Sequence, residues 1–302
     1  MELRELGERR VIDRIWKEIG RDEDYDDCVT IKREGSYELL TTDFIGEGTH
    51  FMLDWNMEIV GKFFAAINLS DIAAMGGLPQ IFMASMFFPP DFPLEKVEEI
   101  VRGMNSLLRE FNVTYKGGDL KESRIAGMSG IALGYVEEKK ILRRKGAKKG
   151  DGVYVTGSLG KQAAGYYLWK NGVEEGYRYL LDVKPRIEEG RKLAGKATSC
   201  MDISDGLSST VLQMENINRK GFKIEFDEIP VDKLALEVSE DYKIPLEELV
   251  LNFGGEYELF YTSPKGIVGK EIGVVTEANG GIFKGKHKLG GRGYEHFSKI
   301  LE

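Results

Sequence analysis

The chain has 302 residues, with 42 Lys and Arg against 50 Asp and Glu, so its formal net charge is −8. Hydrophobic residues make up 42%, which is enough for a packed core and excludes an intrinsically disordered protein. The excess of acid argues against a nucleic-acid partner and a polybasic membrane binder. Glycine is also in excess, at 37 residues or about 12% against a usual share of roughly 7%. Both excesses need a structural reason.

Cysteine and histidine usage excludes the common disulfide and soft-metal frameworks. Cys28 and Cys200 stand far apart with no C-x-x-C pair, and three scattered histidines are too few for a histidine metal site. The N-terminus lacks the apolar segment of a signal peptide, and no apolar run approaches the ~20 residues of a membrane span. We therefore expect a cytoplasmic protein without a membrane partner.

Hydrophobic periodicity predicts alternating helices and strands in the first half of the chain. An amphipathic helix ends at Gly20, a second ends at the glycine pair 76–77, and the clearest helical stripe runs over 94–111. Strands are predicted at 37–42, 49–53, 81–88, 112–115 and 127–136.

The segment 137–152 is crowded with Lys, Arg and Gly and has little to bury, so it predicts a domain boundary. We place an N-terminal α/β domain at 1–140 and a C-terminal α/β domain at 141–302. In the second domain, helices are predicted at 161–169, 185–197, 207–217 and 234–238, and strands at 153–156, 222–226, 258–262 and 271–275. Because helices and strands interleave while some strands are neighbours, the expected class is α/β with mixed (α+β) sheets.

Five short acidic segments have a pattern that favours turns over helical faces, and four of them join a carboxylate to a hydroxyl, a glycine or both. They are Asp26-Asp27, Thr41-Thr42-Asp43, Ser70-Asp71, Gly117-Gly118-Asp119 and Asp202-Ile203-Ser204-Asp205-Gly206. Each alone is typical of an N-cap or an Asx turn. Together they favour a convergent site, because carboxylates that meet repel one another unless cations neutralise them, and oxygen ligands suit Mg²⁺.

Familiar metal and phosphate motifs are absent. The segment 202–206 has Asp at its fourth position and Gly at its fifth, which fails the EF-hand spacing. The sequence contains no His-Glu-x-x-His, no P-loop and no protein-kinase catalytic loop. A phosphate-handling protein with this sequence must hold nucleotide through metal ions and glycine-loop amides.

Two segments carry a family resemblance. Residues 41–51 (TTDFIGEGTHF) and 68–79 (NLSDIAAMGGLP) resemble elements of thiamine-monophosphate kinases. Further matching segments follow in the family's order at 117–119, 144–151, 155–160, 202–207, 254–259 and 293–297. The resemblance implies the two-domain aminoimidazole-ribonucleotide-synthetase-like fold and a homodimer built through N-terminal sheets. It also implies ATP-dependent phosphorylation of thiamine phosphate to thiamine diphosphate, with release of ADP.

The resemblance also implies roles for individual residues, with no covalent catalyst. Several Mg²⁺ ions would be held by Asp27, Thr41, Thr42, Asp43, Asp71, Asp119, Asp202 and Asp205, with Asp43, Asp71 and Asp205 as the core of the cage. ATP would contact Gly118, Arg144 and Ser204. Thiamine phosphate would contact His50, Glu256 and Tyr294. These roles agree with phosphoryl-transfer chemistry, which needs alignment and neutralised charge more than covalent participation.

Two departures from the family pattern leave points open. Relatives often read GGEDYEL where this chain reads GGEYEL, so either Glu256 or Glu258 could face the substrate. Thr210 stands where many relatives have Asp. The alternatives are other enzymes of the superfamily, such as selenophosphate synthetase, aminoimidazole ribonucleotide synthetase and the carbamoyl dehydratase of hydrogenase maturation, or a nucleotide sensor without turnover.

Overall fold

The computed structural model describes residues 2–20, 26–291 and 293–297, and in them nine α-helices and twelve strands. The helices are α1 (Glu8–Glu18), α2 (Met57–Ala74), α3 (Leu94–Glu110), α4 (Lys161–Lys170), α5 (Gly176–Leu180), α6 (Ile187–Leu193), α7 (Leu207–Asn218), α8 (Lys233–Tyr242) and α9 (Leu246–Leu251). The strands are β1 (Val29–Arg33), β2 (Ser36–Gly46), β3 (Leu78–Phe88), β4 (Thr114–Glu122), β5 (Gly127–Glu137), β6 (Gly152–Val155), β7 (Ser199–Asp202), β8 (Gly221–Glu225), β9 (Leu259–Ser263), β10 (Lys270–Thr276), β11 (Gly281–Lys284) and β12 (His287–Leu289). Among these residues, no helix is both long and apolar enough to cross a membrane.

The first sheet has the strand order β1-β2-β5-β3-β4, and only its β3–β4 pair is parallel. Alternation along β2 sends Leu39 and Ile45 into the core beneath α2. Thr42 and Phe44 lie on the opposite face, which remains exposed. The sheet therefore has one covered face and one open face.

Helix α2 is apolar nearly all round and is correspondingly buried between the first sheet, α3 and the second domain. It packs closely on α3 because both helices carry glycine at the contact. A Cβ at Gly61 would overlap the carbonyl oxygen of Ile100, and one at Gly103 would overlap that of Glu58. This packing fixes the helix whose C-terminal turn carries Asp71.

The second sheet has the order β12-β11-β8-β10-β6-β9-β7, and only its β11–β8 pair is parallel. The edge strand β7 lies beside α2 of the first domain. Aromatic packing adds a second contact between the domains: the Trp55 ring stacks on Tyr177 at 4.8 Å between centroids and meets Trp169 edge-on at 5.2 Å. The two domains therefore share one hydrophobic cluster at their junction.

The mixed α/β class is confirmed, but several local predictions were wrong. Residues 49–53 form no strand and contribute only a bridge between Glu47 and Phe51. The segment 41–43 lies within β2, 70–71 within α2 and 117–119 within β4, so none of the three is a turn. In β4, pairing with β3 outweighs the local preference of the glycines for a turn, because these glycines accommodate a bulge against β3. The two sheets span 29–137 and 152–289, while the boundary at 140/141 stays a prediction.

A substitution at Gly190 should weaken the docking of α6 on α2. A Cβ there would overlap the carbonyl oxygen of Ala73, so Gly190→Ala must push the helices apart. We expect a loss of about 1–3 kcal/mol in the free energy of unfolding, measured by urea denaturation. Gly290→Ala is the matched control, since a Cβ at Gly290 meets open space. Equal stabilities of the two variants would contradict this packing.

Candidate active site

Three carboxylates from distant parts of the chain converge at the junction of the two domains. Asp27 precedes β1, Asp71 lies in α2, and Asp202 ends β7. One carboxylate oxygen from each residue lies within 4.8 Å of the other two. Like charges held this close demand either protons or a cation.

Neighbouring hydroxyls orient two of these carboxylates. Thr41 donates its hydroxyl to Oδ2 of Asp71, which ties β2 to α2. The Ser70 hydroxyl, fully buried, donates to Oδ2 of Asp202 at 2.7 Å and so links the two domains. The pair Ser70-Asp71 thus places polar atoms on a mostly apolar helix at the junction of the two domains.

Arg144 neutralises the third carboxylate. Its Nη2 and Nε lie 2.7 and 3.2 Å from Oδ1 of Asp27. The neighbouring Asp26 fixes the segment that carries Arg144, because its carboxylate accepts from the Arg144 backbone amide at 2.9 Å and from Arg143 Nη1 at 2.6 Å. Among the described residues, Oδ2 of Asp27 is buried without a hydrogen-bond partner. That oxygen is free to bind a ligand.

Burial and mutual repulsion raise the pKa of the acids in this cluster. Burial, then Asp205 and Asp27, raises the pKa of Asp43 to about 6. Burial and Asp27 raise that of Asp202 to about 8. Burial and Glu8 raise the pKa of Asp205 to about 6, and burial with Asp43 raises that of Asp71 well above its ordinary value. An oxygen-only donor set with an orphaned buried oxygen fits Mg²⁺.

Gly118 and Asp119 do not join this cluster. Asp43 on β2 and Gly118 on β4 lie in the same row across the first sheet, with β5 and β3 between them. Their backbones are therefore three strand spacings apart, about 14 Å. The carboxylate of Asp119 is exposed and paired with Lys121 Nζ at 2.8 Å. The metal role of Asp119 and the ATP role of Gly118 stay predictions.

Thr42 lies on the exposed face of the first sheet. Its hydroxyl donates to the carbonyl oxygen of Gly130 at 2.7 Å, away from the α2 side. Its neighbours Thr41 and Asp43 face α2, and the Asp43 amide donates to Oδ1 of Asn68 at 3.1 Å. A metal role for Thr42 stays a prediction.

The loop that carries Ser204 and Asp205 is hydrogen-bonded to the glycine-rich loop before β9. The Gly255 amide donates to the carbonyl oxygen of Ser204 at 2.7 Å. Gly254 and Gly255 have φ of +93° and +83°, and Tyr257 has φ of +53°, a left-handed conformation that is costly for a bulky residue. Nearby, Thr210 donates its hydroxyl back to the carbonyl oxygen of Gly206 within α7.

Glu256 and Glu258 differ sharply in their surroundings. Arg186 pairs with Glu258, which also accepts the Thr156 hydroxyl at 2.6 Å. Glu256 is buried, and within residues 2–20, 26–291 and 293–297 neither of its carboxylate oxygens has a hydrogen-bond partner. Burial raises the pKa of Glu256 to about 8. Of the two, Glu256 is therefore the carboxylate available to a ligand.

His50 and Tyr294 lie on either side of His296, at the corner of the site next to Asp205. The Tyr294 amide donates to the carbonyl oxygen of Asp205 at 2.9 Å. His296 lies between the two side chains, with its ring centroid 5.7 Å from that of His50 and 4.9 Å from that of Tyr294. The sequence prediction missed His296, although it stands in the quoted C-terminal motif and is one of only three histidines.

The raised pKa values make the stability of the metal-free protein fall as pH rises. Asp202 binds a proton in the folded state up to about pH 8 but in the unfolded chain only to about pH 3.9. Because the pKa of His50 is lowered to about 4, His50 makes stability rise with pH, and this opposing effect is largely complete by pH 6.5. From there we expect Tm in EDTA to decrease toward pH 8.5. Mg²⁺ should raise Tm more at pH 8.5 than at pH 6.5, and Asp202→Asn should flatten the EDTA profile. Equal Mg²⁺ increments at both pH values would refute the cluster's role.

Comparison with known proteins identifies the relatives of this chain. The family model "AIR synthase related protein, N-terminal domain" matches residues 25–136, and the corresponding C-terminal domain model matches 148–252. The thiamine-monophosphate kinase of Aquifex aeolicus is 33% identical over 98% of this chain and 100% of its own length. That of Pyrococcus horikoshii is 34% identical over 87% and 86%.

Solved structures agree with these relatives. The structure called "AaThiL complexed with AMPPCP and TMP" has a TM-score of 0.91 and 29% identity over 98% of this chain and 99% of its own. The two-domain aminoimidazole-ribonucleotide-synthetase-like fold is therefore confirmed. The chain belongs to the thiamine-monophosphate kinases within the AIR synthase related proteins.

Proposed function

We propose that this protein transfers the γ-phosphoryl group of ATP to the phosphate of thiamine phosphate, with thiamine diphosphate and ADP as products. The observation that supports this most is the convergence of Asp27, Asp71 and Asp202 at the domain junction. Two anionic phosphates repel each other, so a kinase with such an acceptor needs a concentrated site for cations. The related AaThiL structure, which holds AMPPCP and TMP, supports the same pair of substrates.

Mg²⁺ would be held by Asp27, Asp43, Asp71, Asp202 and Asp205, with Thr41 orienting Asp71. When bound, the metal ions supply charge neutralisation and Lewis acidity to the phosphates. Thr42 and Asp119 would join this set only if their side chains reached it from the exposed face and from β4. On the ATP side, we assign Arg144, Ser204 and Gly118. Arg144 has a guanidinium suited to phosphate oxygens.

The acceptor would occupy the corner lined by His50, Glu256 and Tyr294. Thiamine phosphate carries a cationic ring, which a carboxylate and an aromatic face both favour. Among the described residues, neither carboxylate oxygen of Glu256 has a hydrogen-bond partner, so both are available to the cationic ring. An aligned acceptor can then attack the γ-phosphorus in line with the leaving ADP.

Direct transfer also agrees with the state of the candidate nucleophiles. Cys28 and Cys200 are free and buried, and burial raises the pKa of both thiols well above the ordinary value. Thiols held in this protonated state are poor nucleophiles. Two unpaired cysteines also fit the reducing cytoplasm, which we infer as the location.

The kinase activity is tested by ADP release with thiamine phosphate and Mg²⁺. Asp71→Asn should lower kcat at least about 100-fold, because it removes a metal ligand. The same change should leave the metal-free Tm at pH 8 equal or higher, since it removes a buried charge. Asp241→Asn, on the exposed surface of α8, is the matched control. Wild-type protein that releases ADP only with acceptors other than thiamine phosphate would refute this function.

We also propose a homodimer formed through the open face of the first sheet. Met83 on β3 and Ile131 on β5 are directly opposite each other on that face, and Val29 and Ile31 extend the exposed apolar surface on β1. A contiguous apolar face of this kind marks an interaction site. A second copy of the same sheet would cover it.

Ile131→Glu should convert the dimer to a monomer of 34.0 kDa, because it places a charge at the centre of the apolar face. Light scattering after size exclusion measures the mass directly. Val274→Glu on the second sheet is the matched control, since Val274 and Ile131 are both 38% exposed. A monomeric wild type, or dissociation by both variants, would contradict this interface.

A further inference from the structure

The described C-terminal residues 293–297 are fixed against the first turn of α1. The Glu8 amide donates to the carbonyl oxygen of His296 at 3.2 Å, and the His296 amide donates to Oε2 of Glu8 at 3.2 Å. The Arg9 amide donates to Oε1 of Glu295 at 3.2 Å. Together with the bond from Tyr294 to Asp205, these contacts set the backbone of His296 beside the carboxylate cluster.

The tautomer of His50 follows from its hydrogen bond. Nδ1 accepts from the Gly46 amide at 3.2 Å, so the proton of the neutral ring is on Nε2. Burial and the neighbouring His296 lower the pKa of His50 to about 4. At neutral pH, His50 is therefore a neutral ring that donates through Nε2.

His296 repeats this arrangement on the other side of the corner. Its Nδ1 lies 3.3 Å from the Tyr294 hydroxyl, and the Tyr294 ring meets it edge-on with an interplanar angle of 88°. Where the Tyr294 hydroxyl donates to Nδ1, the proton of His296 is on Nε2 as well. Across the described part of the chain, neither Nε2 atom has a hydrogen-bond partner, and the two ring centroids are 5.7 Å apart.

We propose that His296 binds the phosphate of the acceptor together with His50, so that two Nε2–H groups clamp its oxygens. This assignment rests on the proposed function and deepens it. Two adjacent N–H donors fit an anion with several oxygens, and a phosphate monoester is the anion that this reaction brings to the cluster. Within the described residues, the carboxylates that converge closely enough for a metal ion are Asp27, Asp71 and Asp202, and neither histidine belongs to that group.

The acceptor fits this corner better than the nucleotide does. Tyr294 offers an aromatic face beside the histidines, and burial, Glu8 and Asp205 raise the pKa of its hydroxyl. The corner therefore combines donors for an anion with a ring and nearby acids that favour a cation. Thiamine phosphate carries both charges, whereas the triphosphate and adenine of ATP carry no fixed cation.

The test compares two variants that replace different ring nitrogens. Asparagine reaches the position of Nδ1 and glutamine that of Nε2, so His296→Asn should keep the Tyr294 contact and lose the phosphate contact. With AMPPCP and Mg²⁺ present, we expect His296→Asn to raise Kd for thiamine phosphate at least about 10-fold by calorimetry. Kd for unphosphorylated thiamine and for AMPPCP should change less than twofold. His296→Gln should recover part of the loss, and His287→Gln, on the exposed strand β12, is the matched control.

A measurement on the wild-type protein does not depend on how the variants fold. The ¹⁵N shifts of the three imidazoles should change at His50 and His296 with thiamine phosphate, but not with thiamine or at His287. Equal weakening of thiamine and thiamine phosphate by His296→Asn, or unchanged imidazole shifts, would overturn the clamp. Absence of wild-type ADP release with thiamine phosphate would instead overturn the proposed reaction, so the two failures are distinguishable.

Discussion

The repulsion among buried carboxylates is the constraint on which the rest of this structure depends. Asp27, Asp71 and Asp202 approach within 4.8 Å, at a place where burial alone raises the pKa of an acid. Such an arrangement is unfavourable for a folded protein by itself. It persists because packed elements hold each carboxylate in place and because Arg144 and two hydroxyls satisfy some of the oxygens. The remaining negative charge is what the proposed Mg²⁺ ions and their phosphate ligands would relieve.

The architecture supplies the rigidity that this arrangement needs. Helix α2 packs closely on α3 through glycine contacts and on the second domain through Gly190. Asp71 therefore has little freedom to move away from the other carboxylates. The link from Ser70 to Asp202 crosses the same boundary at 2.7 Å. The positions of the carboxylates and the docking of the two domains therefore depend on the same interface.

Much of this arrangement could be predicted from the sequence, because helical and strand periodicities are local and the motifs at 41–51 and 68–79 are distinctive. The strand predicted at 112–115 covers only the start of β4 (Thr114–Glu122), since a glycine pair normally signals a turn and only the bulge against β3 shows otherwise. The choice between Glu256 and Glu258 also needed the fold, because it depends on Arg186, more than sixty residues away. His296 belongs to a motif that the sequence shows, but only the structure shows that its ring lies close to that of His50.

The pairing of Asp27 with Arg144 has a consequence for how the chain folds. In the sequence, Asp27 precedes the strands of the first sheet and Arg144 follows them, while Asp202 comes much later. During synthesis the first domain can build its core while Asp27 and Asp71 remain solvated, because Arg144 and β7 have not yet emerged. Repulsion among the three carboxylates begins only when β7 brings Asp202 beside the other two. The site is therefore completed together with the hydrophobic cluster that the two domains share.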